Sequence, residues 1–425
     1  MKAYQESSLR TAVRTIQRLV ISVFLVLLAL PTIQERLNLF SYAPVVENRN
    51  KEPRPTGVLG IFDSSSRYAQ RYEAYYNDTY GLRDFLIKLK NQADLWMFKV
   101  SDEVLIGDDG WLFYRKLYQH AMRAQETESV KLPILMARLL RLNQFLASKE
   151  ITLIIVPCPA KTTLYPEHVP VQYPAYPKNT AFQRYRAALA QAPGLLSIDV
   201  QSILEQLKPR MRVFHKTDFH WTDPAGAVVW KALYNLMASK SNLQLKTLDR
   251  VKIKKVRNVR GGEINSLAVF FPPLETWLDL KSPLTTPNGT TEETKDPNRW
   301  TYRASNAESP SLLPSTLLIG DSFSDAFLRA GFASAFSTLS KVSNNDFGKA
   351  LLSIPDGTKF VVVEHIESFL LALLLESTWP PELLSEIDQV GGQRQAVPTH
   401  DGVSLPIGNS APNSKRCPTH SGCNS

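Results

Sequence analysis

Ile151–Pro157 reads ITLIIVP, a continuous apolar stretch broken only by one threonine. A run of this length is the pattern of a strand buried on both faces, since a half-solvated strand would alternate. Just ahead of it, Pro133–Ser148 sets Leu135, Leu139, Leu142 and Leu146 on one helical face. Further strands are expected at Leu196–Val200, Ser315–Gly320 and Lys359–Glu364. Helices at Ala181–Ala192, Ala225–Ala238 and Ile366–Leu375 interleave with them. This alternation predicts an α/β fold, a mainly parallel sheet covered by helices on both sides. Residues 102–375 are enough chain for one such core.

Composition narrows the class. Of 425 residues, 44% are hydrophobic and 21% charged, which excludes disorder throughout. Lys plus Arg number 49 against 40 Asp plus Glu, and the resulting charge of +9 suits an anionic partner without choosing one. Three cysteines, with no C-x-x-C pair, exclude a disulfide scaffold and a cysteine-based zinc module.

The N-terminus carries an address. Leu19–Ile33 is uncharged and mostly apolar, and Lys2, Arg10, Arg14 and Arg18 precede it against Glu6 alone. Positive charge before a short apolar run reads as a signal anchor over residues 1–40, with the bulk of the chain outside the cytoplasm. A cleaved signal peptide is the alternative, but Ala29-Leu30-Pro31-Thr32 offers no small-x-small site. That topology disfavours nucleic acid as a partner. Residues 41–101 read as a linker and helical lead-in, with helices at Tyr68–Tyr76 and Leu82–Phe98. In the second helix Phe85, Leu89, Ala93 and Trp96 recur at helical spacing. Asp109-Gly110 marks a turn before a strand at Trp111–Tyr114. Residues 280–310 are polar and turn-rich, the composition of a surface insertion or lid. Residues 376–425 read as a flexible extension with one short helix at Pro381–Val390. Cys417 and Cys423 in that extension are spaced to close a small disulfide loop or to remain a disordered pair. Cys158 reads as a buried thiol.

Two stretches carry chemistry. In LLIGDSFSD, Leu317–Asp325, an apolar strand ends in Gly-Asp-Ser and turns into a helix. Ser322 therefore falls at the carboxyl end of a strand, where open α/β sheets keep their sites. Its amide lies near a helix N-terminus, suited to an oxyanion. A plain helix-capping serine is the alternative. In KTDFHWTDPAGAVVW, Lys216–Trp230, Asp218 and His220 stand two apart in an extended stretch, which sends both side chains to one side. Asp218 then accepts from one imidazole nitrogen and leaves the other as a base. The pair could also begin a metal site, but the other histidines make no spaced ligand pattern. No metal is expected, and no coenzyme A or nucleotide motif implies a cofactor. Val251–Arg260, VKIKKVRNVR, reads as a strand with one basic side, either a solvated edge or a glycan-binding strip.

GDSFSD, TDFHWT, DDGWLFY and YYNDTYGLRD together resemble the SGNH-hydrolase-like proteins of bacterial alginate O-acetylation. The resemblance runs from about Glu47-Asn48-Arg49 to about Phe369. It implies a catalytic triad of Ser322 as nucleophile, His220 as base and Asp218 as orienting acid. It also implies acetyl transfer to a secreted polysaccharide in the periplasm, with a membrane-bound O-acyltransferase as acetyl donor. Lys161, in VPCPAKTTLYPE, is expected to face the site. The chain departs from the family at Arg260-Gly261-Gly262-Glu263-Ile264, where relatives carry Gly-Asp-Leu, and at Glu367-Ser368, where they carry Glu-Arg. An esterase with the same triad and a non-catalytic glycan-binding scaffold are the rival readings.

Overall fold

The computed structural model describes residues 2–47, 49–55, 66–174, 179–243, 248, 250–258, 261–285, 289–293 and 299–393. Asn48, Arg260 and the extension with Cys417 and Cys423 lie outside the described residues. Helix α1, Lys2–Leu37, contains the apolar N-terminal run and continues through Pro31. Its segment Val13–Leu37 is long enough to cross a membrane and contains an 18-residue stretch with a mean hydropathy of 2.1. Helices α2, Ser66–Thr79, and α3, Arg83–Phe98, follow. A small hairpin of β1, Val104–Ile106, and β2, Leu112–Tyr114, turns at Asp109 and Gly110, both of positive φ.

Helix α4, Arg115–Ser148, begins well before the start expected at Pro133. Proline removes a single backbone donor, and the helix passes through it without ending. It feeds β3, Thr152–Cys158, then the short α5, Lys161–Leu164, and α6, Ala181–Gln191. Strand β4, Leu196–Ser197, is shorter than expected because Asp199 caps α7, Val200–Leu207, by accepting from the Ser202 amide. Helix α8, Asp223–Lys240, starts as its Thr222 cap and Pro224 require. Strand β5, Ile253–Asn258, helix α9, Gly262–Leu267, and strand β6, Glu275–Leu280, come next. Strands β7, Gly289–Glu293, and β8, Arg299–Ala304, occupy the stretch expected to be an insertion or lid. The rest alternates: β9, Thr316–Gly320; α10, Asp325–Arg329; β10, Thr338–Ser343; α11, Phe347–Leu352; β11, Phe360–Ile366; α12, Leu370–Leu373; α13, Pro381–Gln393. The helix expected from Ile366 starts later, because Ile366 completes β11 and its amide is held by Asp321.

One seven-stranded sheet, in the order β4-β3-β11-β9-β10-β8-β7, forms the core. Its first five strands are parallel; β8 and β7 extend the edge antiparallel. The 280–310 stretch is thus sheet as well as surface, a correction to the lid reading. The period-two pleat sorts the strand side chains into two layers. Ile154, Val156, Leu318 and Val362 meet α7 and α8 through Val200, Leu204, Trp230 and Leu233. Leu153, Ile155, Leu317, Ile319, Val361 and Val363 meet α4, α6 and α13 through Leu139, Leu142, Tyr185 and Leu383. This double burial is why β3 carries almost no polar side chains. Strand β9 lies between β11 and β10, so the chain leaves it toward one neighbour and returns on the other. Its carboxyl end is therefore a topological switch point. The basic strand β5 pairs with β6 in a separate two-stranded sheet, and all side chains from Lys252 to Arg257 are exposed, Ile253 and Val256 included.

The contact between α8 and α10 carries this order toward the switch point. A Cβ on Gly226 would stand 2.5 Å from the Ala326 Cβ and 3.1 Å from the Trp221 indole nitrogen. Gly226→Ala is expected to cost about 1–3 kcal/mol through overpacking. The check is a lowered Tm, with a circular dichroism spectrum unchanged at low temperature.

Candidate active site

Strand β9 hands the chain to a single 3-10 turn, Ser322–Ser324, whose first amide has no helical acceptor. Asp321 fixes that turn. Its Oδ1 accepts from the Phe323 amide at 2.8 Å, and its Oδ2 accepts from the Ile366 amide at 2.9 Å and from Asn344 Nδ2 at 3.3 Å. One carboxylate thus ties the end of β9 to β11 and to the turn after β10. Behind it, Glu364 Oε2 accepts from the Asp321 amide at 3.0 Å. Glu364 is completely buried, and burial, with the Asp321 charge beside it, lifts its carboxyl well above the ordinary range.

The Asp218–His220 turn is closed by a bridge between Phe214 and Trp221 and by the His215 amide on the His220 carbonyl at 3.2 Å. Asp218 Oδ1 accepts from the His220 amide at 2.8 Å and lies 2.6 Å from His220 Nδ1. Its Oδ2 accepts from the Gly262 amide at 2.7 Å. Burial opposes ionisation of Asp218, but the hydrogen bonds and charge of His220 and the backbone donors prevail and hold the carboxyl well below its usual range. An ionised Asp218 makes Nδ1 the donor and leaves Nε2 as the acceptor. Nε2 stands 2.6 Å from Ser322 Oγ, and Ser322 is exposed. The Trp221 indole donates to the Phe323 carbonyl at 3.0 Å, which locks the two turns together. The structure therefore brings Asp218, His220 and Ser322 into one hydrogen-bonded chain.

Lys161 does not face this chain. It is buried behind it, where Nζ donates to the carbonyls of Asp218 at 2.9 Å, Lys216 at 3.2 Å and His215 at 3.3 Å. Its fourth partner is Glu263 Oε1 at 2.6 Å. Gly261 is needed for this approach, since a Cβ there would meet the Thr217 carbonyl oxygen at 2.3 Å. The departure Gly261-Gly262-Glu263 thus supports the Asp218 carboxylate from beneath. Glu275 adds to it, with Oε1 and Oε2 accepting the amides of Lys216 and Thr217, both at 2.8 Å. Glu263, Glu275 and Glu364 escape a sequence reading because each is a lone carboxylate. Their signal is the strand end or paired glycines beside them.

Ser322 sits on a ridge between two hollows. One, of about 790 Å³, is walled by Leu117, Trp300, Lys341, Asn344 and Phe369. Trp300 comes from β8, so the stretch expected as a lid forms part of this wall. The other, of about 430 Å³, is lined by His215, His220, Trp277, Asp279 and Arg329. There Arg329 forks onto Asp223 at 2.8 and 2.7 Å. His215 stacks on Trp277 at 3.8 Å, and burial pushes its imidazole down to about 3, so it is neutral. Lys341 pairs with Asp325, which borders both hollows.

The family model described as SGNH hydrolase-like domain, acetyltransferase AlgX, matches residues 104–351, more than half of the chain. The chain belongs to this family. Among curated relatives, the probable alginate O-acetylase AlgJ of Pseudomonas aeruginosa is 30% identical over 164 residues, 38% of this chain and 40% of that protein. The protein of the same description from Pseudomonas fluorescens is 25% identical over 222 residues, 52% of this chain and 55% of that one. The chain thus matches about half or less of the length of these relatives. Among solved structures, the O-acetyltransferase domain of Pseudomonas putida AlgJ is 20% identical with a TM-score of 0.46, covering 68% of this chain and 99% of that one. Bacillus cereus PatB1 is 15% identical with a TM-score of 0.44, covering 64% and 97%.

The Lys161–Glu263 pair generates a prediction. Lys161→Met leaves three main-chain carbonyls and the Glu263 carboxyl without their shared donor and is expected to cost about 1–3 kcal/mol, read as a lowered Tm. Burial raises the Glu263 carboxyl to about 7 even beside Lys161. Its folded-state pKa exceeds the unfolded one, so its contribution to stability is present at low pH and lost as pH rises through about 7. Glu263→Gln removes that linkage. Between about pH 5 and about pH 8 the Tm of the variant is expected to gain on that of the wild type.

Proposed function

We propose that this chain is a membrane-anchored O-acetyltransferase that works in the periplasm on hydroxyls of a secreted polysaccharide. The observation that carries the reading is the unbroken chain from Asp218 through His220 to the exposed Ser322, at 2.6 Å per step, at the switch point of a family fold. The AlgJ names of the relatives support polysaccharide as the acceptor, and α1 supports the anchor.

The reaction has two halves. His220 Nε2 takes the Ser322 hydroxyl proton as Oγ adds to the acetyl carbonyl, and the imidazolium returns that proton to the departing donor group. The Ser322 amide and Asn344, which line the same groove, are the candidate donors to the oxygen that becomes negative. In the second half a sugar hydroxyl gives its proton to His220 and attacks the acyl carbonyl. Ser322 Oγ leaves and recovers the proton. Asp218 stays ionised throughout and stabilises the imidazolium. A membrane-bound O-acyltransferase is the proposed acetyl donor, and no cofactor takes part. Hydrolysis is the competing fate, decided by how well the sugar excludes water.

Incubation with an aryl acetate is expected to leave an acetyl group on the peptide containing Ser322, and an added oligosaccharide acceptor to receive it faster than water does. Ser322→Ala should abolish both signals. Asp218→Asn should lower acyl uptake on the order of 10³–10⁴-fold, because the imidazole loses its charge partner and its tautomer. Release of free acetate at the same rate with and without acceptor would make the chain an esterase. An active Ser322→Ala variant would remove the triad.

A further inference from the structure

Helix α3 turns much of its apolar surface outward, although Phe85 and Leu95 pack inward. Its buried residues are Lys88 and Gln92, whereas Leu89, Trp96 and Met97 are 50%, 66% and 71% exposed. The inner face is pinned by polar contacts. Lys88 Nζ donates to the Ala43 carbonyl at 2.5 Å, Asn91 Nδ2 to the Leu267 carbonyl at 2.9 Å, and Gln92 Oε1 accepts from the Phe271 amide at 2.8 Å. An amphipathic helix surrounded by water places these faces the other way round. The apolar side continues past the helix, since Phe271, 67% exposed, stacks on Trp96 at 5.7 Å and 11°, with Phe98 and Leu274 exposed nearby in sequence.

This face is continuous with the exit of α1. Gly81, at the start of α3, lies so close to α1 that a Cβ would stand 2.3 Å from the Pro31 carbonyl oxygen and 2.5 Å from the Glu35 nitrogen. The Tyr42 hydroxyl donates to the Gly81 carbonyl at 2.9 Å. Aromatic rings then run from Phe40 to Phe85 at 6.4 Å and from Phe85 to Phe270 at 5.3 Å, beside Phe271. The outward side of α3 thus begins where the apolar helix ends. Sixteen residues of helix extend about 24 Å from that point.

We propose that the outward face of α3, with Phe271 and Leu274, rests in the headgroup–acyl boundary of the bilayer that α1 crosses. The occupant is a lipid surface. Trp, Phe and Leu are the side chains favoured there, and the exposed Lys99 stands beside them, while Lys90 is paired with Asp94 and Asp102. With α1 this makes a second point of attachment, which holds the catalytic domain in one orientation. The inference rests on the anchor reading of α1.

Trp96 alone among the seven tryptophans is exposed, so its emission reports the contact. The full chain is placed in nanodiscs at one copy per disc, made either with ordinary phospholipid or with phospholipid brominated high in the acyl chains. Bromination is expected to quench a component of the emission, and Trp96→Phe to lose that component while keeping the wild-type Tm. Equal quenching in wild type and Trp96→Phe, or none in either, overturns the inference. Shielding of Trp96 only in discs that hold two copies assigns the face to a second copy instead. A chain that fails to co-elute with the discs removes the anchor reading as well. A chain that co-elutes with Trp96 unquenched removes this inference alone.

Discussion

Lys161 carries a positive charge to a place that water barely reaches, and it persists there because four oxygens meet it. A buried charge is tolerable only when paired and fully hydrogen-bonded. Three of those oxygens are main-chain carbonyls of residues 215, 216 and 218, so the ammonium fixes backbone rather than a side chain. The turn that presents Asp218 and His220 inherits its shape from this arrangement. The adjoining Gly262 amide then sets the angle of the Asp218 carboxylate. Alignment of an imidazole between two oxygens to within a few tenths of an ångström thus traces back to one lysine on the far side of the sheet's end.

The serine side has a matching constraint of opposite sign. Asp321 gathers amides from its own turn and from β11, while the buried Glu364, its carboxyl pushed up by burial and by the Asp321 charge, stands behind it. Burial raises both carboxyls above the ordinary carboxylate range, and the amides of Phe323 and Ile366 work against that shift at Asp321. The Trp221 indole joins this assembly to the Asp218–His220 turn. Neither half of the site is held by a loop alone.

Much of this was legible in the sequence for identifiable reasons. ITLIIVP and the strand before Gly-Asp-Ser announced buried parallel strands because both their faces are covered, and burial leaves a one-dimensional trace. Asp218 and His220 were readable because two residues apart in extended chain means one side. The His220–Ser322 contact itself spans 102 residues of chain, and only a pattern shared with a family pointed across that gap. Lys161 was placed near the site but on its wrong side, since sequence gives proximity along a strand and not the direction of a long side chain. Trp300 was hidden because a polar, turn-rich composition does not distinguish a loose loop from a hairpin on a sheet edge. The outward apolar face of α3 was visible as periodicity, but periodicity does not say which side meets water.

The ridge on which Ser322 stands has a kinetic meaning of its own. A nucleophile at the bottom of one blind pocket forces each visitor to leave before the next arrives, and the two compete for the same space. With hollows on either side, an acyl group on Ser322 would be approachable from two directions, and traffic across the ridge need not reverse. Under the proposed function, a polymer lying along both hollows would present successive hydroxyls to Ser322 without letting go, with Trp300 walling its path on one side of the ridge and Trp277 on the other.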